Sequence, residues 1–430
     1  MVRRSVSQLR AGMVLAEDVM TPGGRFLMPK GTTLDSGHLK SLLAWDLGDV
    51  GVLDGVEPAA EPVVPAPQAV VDEAAEEAVR ERLCRFDTQR DVGRVLFRLA
   101  LEREIRRRQG APDGAESADT AKAAAAGREA DEAVTPLASP EALLREEPKL
   151  VSPPEVYLRI SEVLRDPKST VEDAAESIRH DPSLAAKLLR LVNSSFYART
   201  MRATRGRFPA KVDSLSRAVM VVGGRQLATL ALGVSVLPLF QDIPAQWVDM
   251  RVFWEHSVGC AVAAQVLAGA CGRVDPEAAF VAGLLHDIGR IVAFKQASRH
   301  MAAAMRRAAA ERRPLFETER ELLGFDHAAL GGQLLQKWQF PANLEKMVRC
   351  HHDVSEALFP DEPAVIHLAD CLASAMGFGA SGNRHVPPLA PEAWEALGLA
   401  AADLERLVPH MEARLAETMH SFFPDRSGPR

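Results

Sequence analysis

Leu284-Leu285-His286-Asp287-Ile288-Gly289-Arg290 places a histidine and an aspartate side by side at the end of an apolar helical run that begins at Ala278. A buried charge beside a buried imidazole is costly unless it is paired or bound to a metal. With a helix ending at this point and Gly289 letting the chain turn, the two side chains can converge on one cation. Matching groups lie on both sides in the sequence: His256 before the pair, then His327, His351, His352 and Asp370 after it.

The rest of the chain sets the limits within which such a site would work. At 430 residues it is too long for one ordinary core, and two or three domains are expected. Its formal charge of -7 gives no general attraction to nucleic acid or anionic lipid. There is no stripe of basic and aromatic residues, so nucleic-acid binding is not expected. No apolar run reaches the roughly 18 residues that cross a bilayer, and no membrane association is expected. Met1 to Arg10 carries three arginines but lacks the apolar stretch of a secretory signal. The cysteines Cys84, Cys260, Cys271, Cys350 and Cys371 are odd in number and lack CxxC spacing, which argues against a disulfide framework or a thiolate zinc site. A cytoplasmic protein is the expectation.

Residues 1–56 read as a small, mainly β or α+β module. Strands are expected at Leu9–Leu15, Gly24–Met28 and Val50–Leu53, with a turn at Thr21–Gly24 and a short helix from Asp35 or Ser36 to Trp45. Residues 57–109 read as a linker followed by two helices broken near Phe86 to Asp91, with Arg106-Arg107-Arg108 as a solvated helix end. Residues 110–135 have hardly a large apolar side chain to offset the entropy of ordering, and are expected to be a flexible linker. From 136 to 425 helical patterns dominate and no βαβ rhythm appears, so an all-α main domain is expected. Ser169 with Glu172 fits a capping box, and Asp181-Pro182 opens a helix whose apolar face carries Leu184, Leu188, Leu189 and Val192. Further helices are expected near 213–222, 224–238, 250–270, 275–286, 290–309, 317–337, 341–351, 361–375 and 402–421.

Imidazoles and carboxylates together suit Zn, Fe, Mn or Ni better than Ca. His256, His286, Asp287 and Asp370 can supply one octahedral ion, and His327, His351 and His352 can complete a second one bridged by Asp287. One or two ions are therefore possible. Two such ions can activate water and hold phosphoryl oxygens for in-line attack. Spacing alone does not bring these groups together, and each histidine taken singly also reads as a hydrogen-bonded core residue. Arg290 and Lys337 are candidate phosphate clamps, or simply helix-surface cations.

Several blocks, in order, resemble the HDOD family, the HD-related output domain of bacterial signalling proteins within the HD phosphohydrolase superfamily. They are Leu188–Tyr197, Ser214–Leu227 with Val221-Val222-Gly223-Gly224, Ala282–Arg290, Asp326–Gly331, Trp338–Pro341 and His351-His352. The resemblance covers about residues 140–375. It implies an HD-like helical bundle of two subdomains, 136–245 and 246–425. The pattern from Gly12-Met13 to Lys30-Gly31-Thr32 also resembles a small N-terminal module of HD-type signalling proteins.

The superfamily's metal positions match His256, His286, Asp287 and Asp370. The extra ligands of its two-metal cyclic-di-GMP phosphodiesterase branch match His327, His351 and His352. Three departures argue against that activity: Asp353–Pro360 lacks the Gly-Tyr-Pro loop, Val252 stands where an acidic ligand is expected, and Arg290 replaces a lysine. The resemblance thus implies a signal-transduction output or scaffold module with a protein partner and a retained metal site. The alternative it leaves is a metal-dependent phosphohydrolase acting on a nucleotide or cyclic dinucleotide. In that case Asp287 would bridge the metals and Arg290 would stabilise the phosphoryl oxygens. Asn193–Tyr197 reads either as a partner contact or as packing between the subdomains.

Overall fold

A computed structural model describes residues 2–5, 9, 13–20, 26–34, 38, 49–53, 72–110, 137, 139–145, 155–166, 168–193, 212–236 and 248–423. The expected turn at 21–24, most of the helix at 35–45, the linkers at 57–68 and 111–135, and residues 194–197 lie outside them. The chain divides into two compact units, Met1–Val71 and Asp72–Arg430.

In the first unit, β1 (Val2–Ser5) pairs antiparallel with β4 (Asp49–Val52), and β2 (Val19–Met20) pairs antiparallel with β3 (Phe26–Met28). Leu9, Leu15, Val19, Met28, Leu34, Val50 and Val52 form its core. Of the strand expected at Leu9–Leu15, the described residues Val14 and Leu15 make isolated bridges to Thr33 and Val52, and residues 10–12 lie outside the described residues. Val2–Ser5, which has little apolar alternation, makes the longer pairing instead. Cross-strand partnership outweighs local pattern here.

The second unit is helical, and its boundary falls earlier than the composition of 110–135 implied. Helices α1 (Glu73–Arg82) and α2 (Asp91–Gly110) belong to it. After them come α3 (Pro140–Leu143), α4 (Glu155–Arg165), α5 (Val171–Arg179), α6 (Pro182–Val192), α7 (Leu215–Val222) and α8 (Gly224–Ser235). The remaining helices are α9 (Met250–Cys271), α10 (Pro276–Leu285), α11 (Ile288–Gln296), α12 (Ser298–Glu311), α13 (Leu315–Leu323), α14 (His327–Lys337), α15 (Ala342–Arg349), α16 (Asp361–Met376), α17 (Pro391–Leu397) and α18 (Ala401–Phe422). No single helix among the described residues is long and apolar enough to cross a membrane.

The arginine run at the end of α2 is not simply solvated. Arg107 and Arg108 pair with the buried Glu104 at 2.7 and 2.9 Å, and Arg106 reaches Glu412 on α18 at 3.2 Å. Arg103 joins Glu412 at 2.9 Å and donates to the Met376 carbonyl at 2.8 Å. Arg82 donates to the Ala375 carbonyl at 2.9 Å. The two N-terminal helices are thereby tied to α16 and α18.

Caps set several helix starts. The capping box of α5 is one residue later than expected, with Thr170 accepting from the Asp173 amide and Asp173 accepting in return from the Thr170 amide. Asp181, Asp275 and Asp326 each accept from an amide in the first turn of α6, α10 and α14. The single helix expected at 290–309 is two, because Ala297 leaves helical geometry at φ -130°, ψ 41°. The pattern at 317–337 is likewise two helices, parted by Gly324 at φ 89° and restarted by the Asp326 cap. Asn193 closes α6 by donating to the Val212 carbonyl and accepting from its amide, which is a packing role.

Helices α9 and α10 form the centre of the unit. Residues Ala278 to Leu285 are all buried, and α9 is buried on nearly every side, as befits helices with apolar residues all round. A methyl group added at Gly283 would lie 2.8 Å from Ala261 Cα and 2.9 Å from the Cys260 carbonyl oxygen. The two helices therefore meet backbone to backbone, which brings the end of α10 against the middle of α9.

Candidate metal centre

His286 and Asp287 lie in the turn between α10 and α11. Asp287 stands at the N-cap of α11 but its side chain makes no capping bond, which leaves both oxygens for the interior. Gly289 does not make the turn. It is the second residue of α11, and a Cβ there would fall 2.1 Å from the His327 carbonyl oxygen and 2.7 Å from the Gly331 amide. Its missing side chain lets α11 press on α14, and that contact carries His327 to Asp287.

All seven expected ligands converge. His256 Nε2 lies 3.5 Å from Asp287 Oδ2 and 3.3 Å from Asp370 Oδ1. His286 Nε2 lies 3.1 Å from Asp287 Oδ2 and 3.9 Å from Asp370 Oδ1. On the other side, His327 Nε2 is 3.1 Å from Asp287 Oδ1, and His352 Nε2 faces His327 Nε2 at 3.1 Å. Two groups of donor atoms result, His256/His286/Asp287 and His327/His351/His352, each with its atoms within 4.8 Å of one another. Asp287 stands between them.

The donor set fits a metal ion. His286 Nδ1 donates to the Gly283 carbonyl at 2.8 Å and His351 Nδ1 to the Val348 carbonyl at 2.7 Å. Each ring is thereby fixed with Nε2 aimed inward, the arrangement in which histidines ligate metals. His327 Nδ1 faces Glu319 Oε2 at 2.5 Å, a carboxylate–histidine pair of the same kind. His286 Nε2, His351 Nε2, His256 Nε2 and Asp287 Oδ1 are buried with no hydrogen-bond partner. Such atoms are costly in a core of hydrogen-bonded histidines, and one cation placed among them would be a partner to all four.

Burial opposes every charge here, and the neighbours decide the outcome. Against that burial, Arg290, His286 and His327 hold Asp287 well below the usual carboxylate range, and His256 and His286 hold Asp370 below it. His286, beside Asp287, rises well above its ordinary value despite its burial. Burial and adjacent imidazoles push His351 and His352 well down, keeping them neutral.

Three residues of this assembly have no obvious mark in the sequence. Glu319 binds the Nδ1 of His327 and also accepts from Arg290 Nε at 3.2 Å. A carboxylate within the otherwise apolar face of Leu315–Leu323 was its only signal. Ser381 accepts from Arg290 Nη1 at 2.6 Å, and no pattern announces it. His367, one turn before Asp370, donates through Nδ1 to the His351 carbonyl at 2.7 Å and accepts the Ala390 amide at 3.0 Å.

Of the two cations singled out as phosphate clamps, Lys337 is elsewhere, with its Nζ donating to the Leu144 carbonyl at 3.1 Å. Arg290 is in the site, but it is 2 % exposed and its guanidinium faces Asp287 at 3.1 Å, Glu319 and Ser381. It is not a helix-surface cation.

Residues 150–354 match the HDOD domain family. Among solved structures, the chain is similar to an HDOD domain protein of unknown function from Geobacter sulfurreducens, with TM-score 0.51 and 23% identity over 64% of this chain and 97% of that one. It is also similar to a candidate phosphohydrolase from Shewanella amazonensis SB2B, with TM-score 0.50 and 24% identity over 66% of this chain and 97% of that one. A curated protein of Treponema pallidum (strain Nichols) is 28% identical over 218 residues, which is 50% of this chain and 40% of that protein's length.

Proposed function

From the premise that residues 150–354 are an HDOD domain, we propose that this chain is a signal-transduction output module acting on a protein partner. Its HD-type site holds a divalent transition metal as a structural tie and does not hydrolyse cyclic di-GMP. The observation that carries this reading is closure. None of the seven candidate ligand residues is more than 9% exposed, and Arg290 beside them is enclosed by two carboxylates and a serine.

A bound ion would supply Lewis acidity and fixed coordination bonds between helices. The chain's residues do the rest. His256 on α9, the His286-Asp287 turn and Asp370 on α16 present donors from three parts of the bundle. Backbone bonds to His286 and His351 orient their rings, and the surrounding helices exclude water.

A metal-dependent phosphohydrolase is the second reading, favoured by the adjacency of two three-donor groups at one shared aspartate. Elemental analysis of the purified chain beside a His286→Ala, Asp287→Ala double variant separates the two, together with a hydrolysis screen over cyclic dinucleotides and nucleotides in Mn²⁺ or Fe²⁺. The expected result is metal in the wild type, none in the variant, and no turnover by either. Turnover that vanishes in the variant would replace the output module with the enzyme.

A further inference from the structure

Leu358 and Phe359 are 78% and 62% exposed, and among the described residues they are the one pair of exposed large apolar side chains adjacent in sequence. They follow a single helical turn, Val354–Glu356, and precede α16. Residues 353–362 carry the acids Asp353, Glu356, Asp361 and Glu362, and no lysine, arginine or histidine. Asp353 binds Arg320, and Asp361 lies 3.9 Å from Arg273, while Glu356 is exposed. The loop is thus an apolar knob on an acidic base, held out in water where its two large side chains gain nothing.

A cavity of matching character opens on a neighbouring segment. Its volume is about 310 Å³, and its apolar wall is Val92, Leu389, Trp394 and Leu399. The polar rim is Arg90, Asp91 and the start of α18 at Ala400 and Ala401. Asp91 is paired with Arg94. Arg90 is exposed and reaches Asp87 at 3.3 Å, and a guanidinium has more donors than one carboxylate takes. Alanine at the N-cap of α18 offers the first amides of that helix no side-chain acceptor. Such a rim favours an occupant that brings negative charge together with apolar bulk. Trp394 lies on α17, which packs against the turn Val354–Glu356 that leads into the knob.

We propose that two copies of the chain associate about a two-fold axis, with Leu358 and Phe359 of each copy entering the Val92/Trp394 cavity of the other. Because knob and cavity lie on neighbouring segments, one axis satisfies both contacts and association closes at the dimer. Glu356 is carried towards the Arg90 rim of the facing copy. The pairing needs no metal, so it stands or falls apart from the metal-holding reading above.

Sedimentation velocity of the full chain over a concentration series, at low and at high salt, tests this. A reversible dimer that weakens with salt is expected. Changing both Leu358→Ser and Phe359→Ser removes the knob from an exposed loop without touching the core. It should raise the dimer dissociation constant about thirtyfold or more. Ala401→Trp fills the cavity and should weaken the dimer likewise, with its fold checked by circular dichroism. Mixed together, the two variants can still make one contact, between the intact knob of one and the intact cavity of the other. The mixture should therefore associate more tightly than either variant alone. A chain that stays monomeric at every concentration would overturn the proposal and leave knob and cavity to other partners. A dimer indifferent to loss of the knob would overturn it too, because its interface would lie elsewhere.

Discussion

Each carboxylate oxygen of Asp287 serves a different half of the site, Oδ2 facing His256 and His286 and Oδ1 facing His327. Glu319 supports this from behind, holding the His327 ring and one edge of Arg290. Replacing Glu319 with alanine leaves a buried guanidinium one partner short and frees the His327 ring. We expect a loss of about 3–5 kcal/mol in unfolding free energy, measured by denaturant titration. A change below about 1 kcal/mol would mean that the pair is not a closed buried pair. The seven converging side chains were legible in the sequence as candidates, because histidine and aspartate are rare beside apolar helical runs. Glu319 and Ser381 were not, since a glutamate or serine in a helix or loop is ordinary until its partner is placed beside it. Arg290 was legible as a cation, but its enclosure by Asp287, Glu319 and Ser381 depends on segments 29 and 91 residues away.

Helix positions were read more securely than the reasons for them. Asp181-Pro182 marks α6 and the apolar run into His286 marks α10 in the sequence, whereas the split of 317–337 into α13 and α14 was missed despite Gly324 and Asp326, and the break at Ala297 between α11 and α12 has no proline or glycine to announce it. Gly289 was understood as the residue that turns the chain, yet its work is done between helices. A Cβ there would meet backbone atoms of α14, which have no rotamer to yield. Gly289→Ala should therefore force α11 and α14 apart, costing about 3 kcal/mol or more and lowering metal content together with thermal stability. An alanine variant as stable as the wild type would contradict the close contact. Gly269, where an added Cβ meets nothing within 4 Å, is the matched control within a helix. Its substitution should change stability by no more than about 1 kcal/mol.

Across the whole second unit, the early helices are held to the late ones through charge. Glu104 gathers Arg82, Arg107 and Arg108, and although burial opposes its ionisation, these arginines lower its pKa to about 2. A carboxylate depressed in the folded state contributes stability that is full above its unfolded pKa of about 4.3 and is lost as pH falls towards 2. Glu104→Gln should cost about 1–3 kcal/mol at pH 7, with the gap to wild type closing between about pH 4 and 2. A gap that stays constant across that window would show that the charge of Glu104 is irrelevant. The two helices at 73–110 look separable in sequence, because the compositionally open stretch after them reads as a domain boundary. Only their partners in space show that they belong to the bundle. Arg103 and Glu412 are 309 residues apart. At about 5–20 residues per second, a ribosome needs about 15 to 60 s to travel from one to the other. Throughout that interval the apolar face of α2 has no α18 to cover it, so this part of the bundle stays open until α18 has been made.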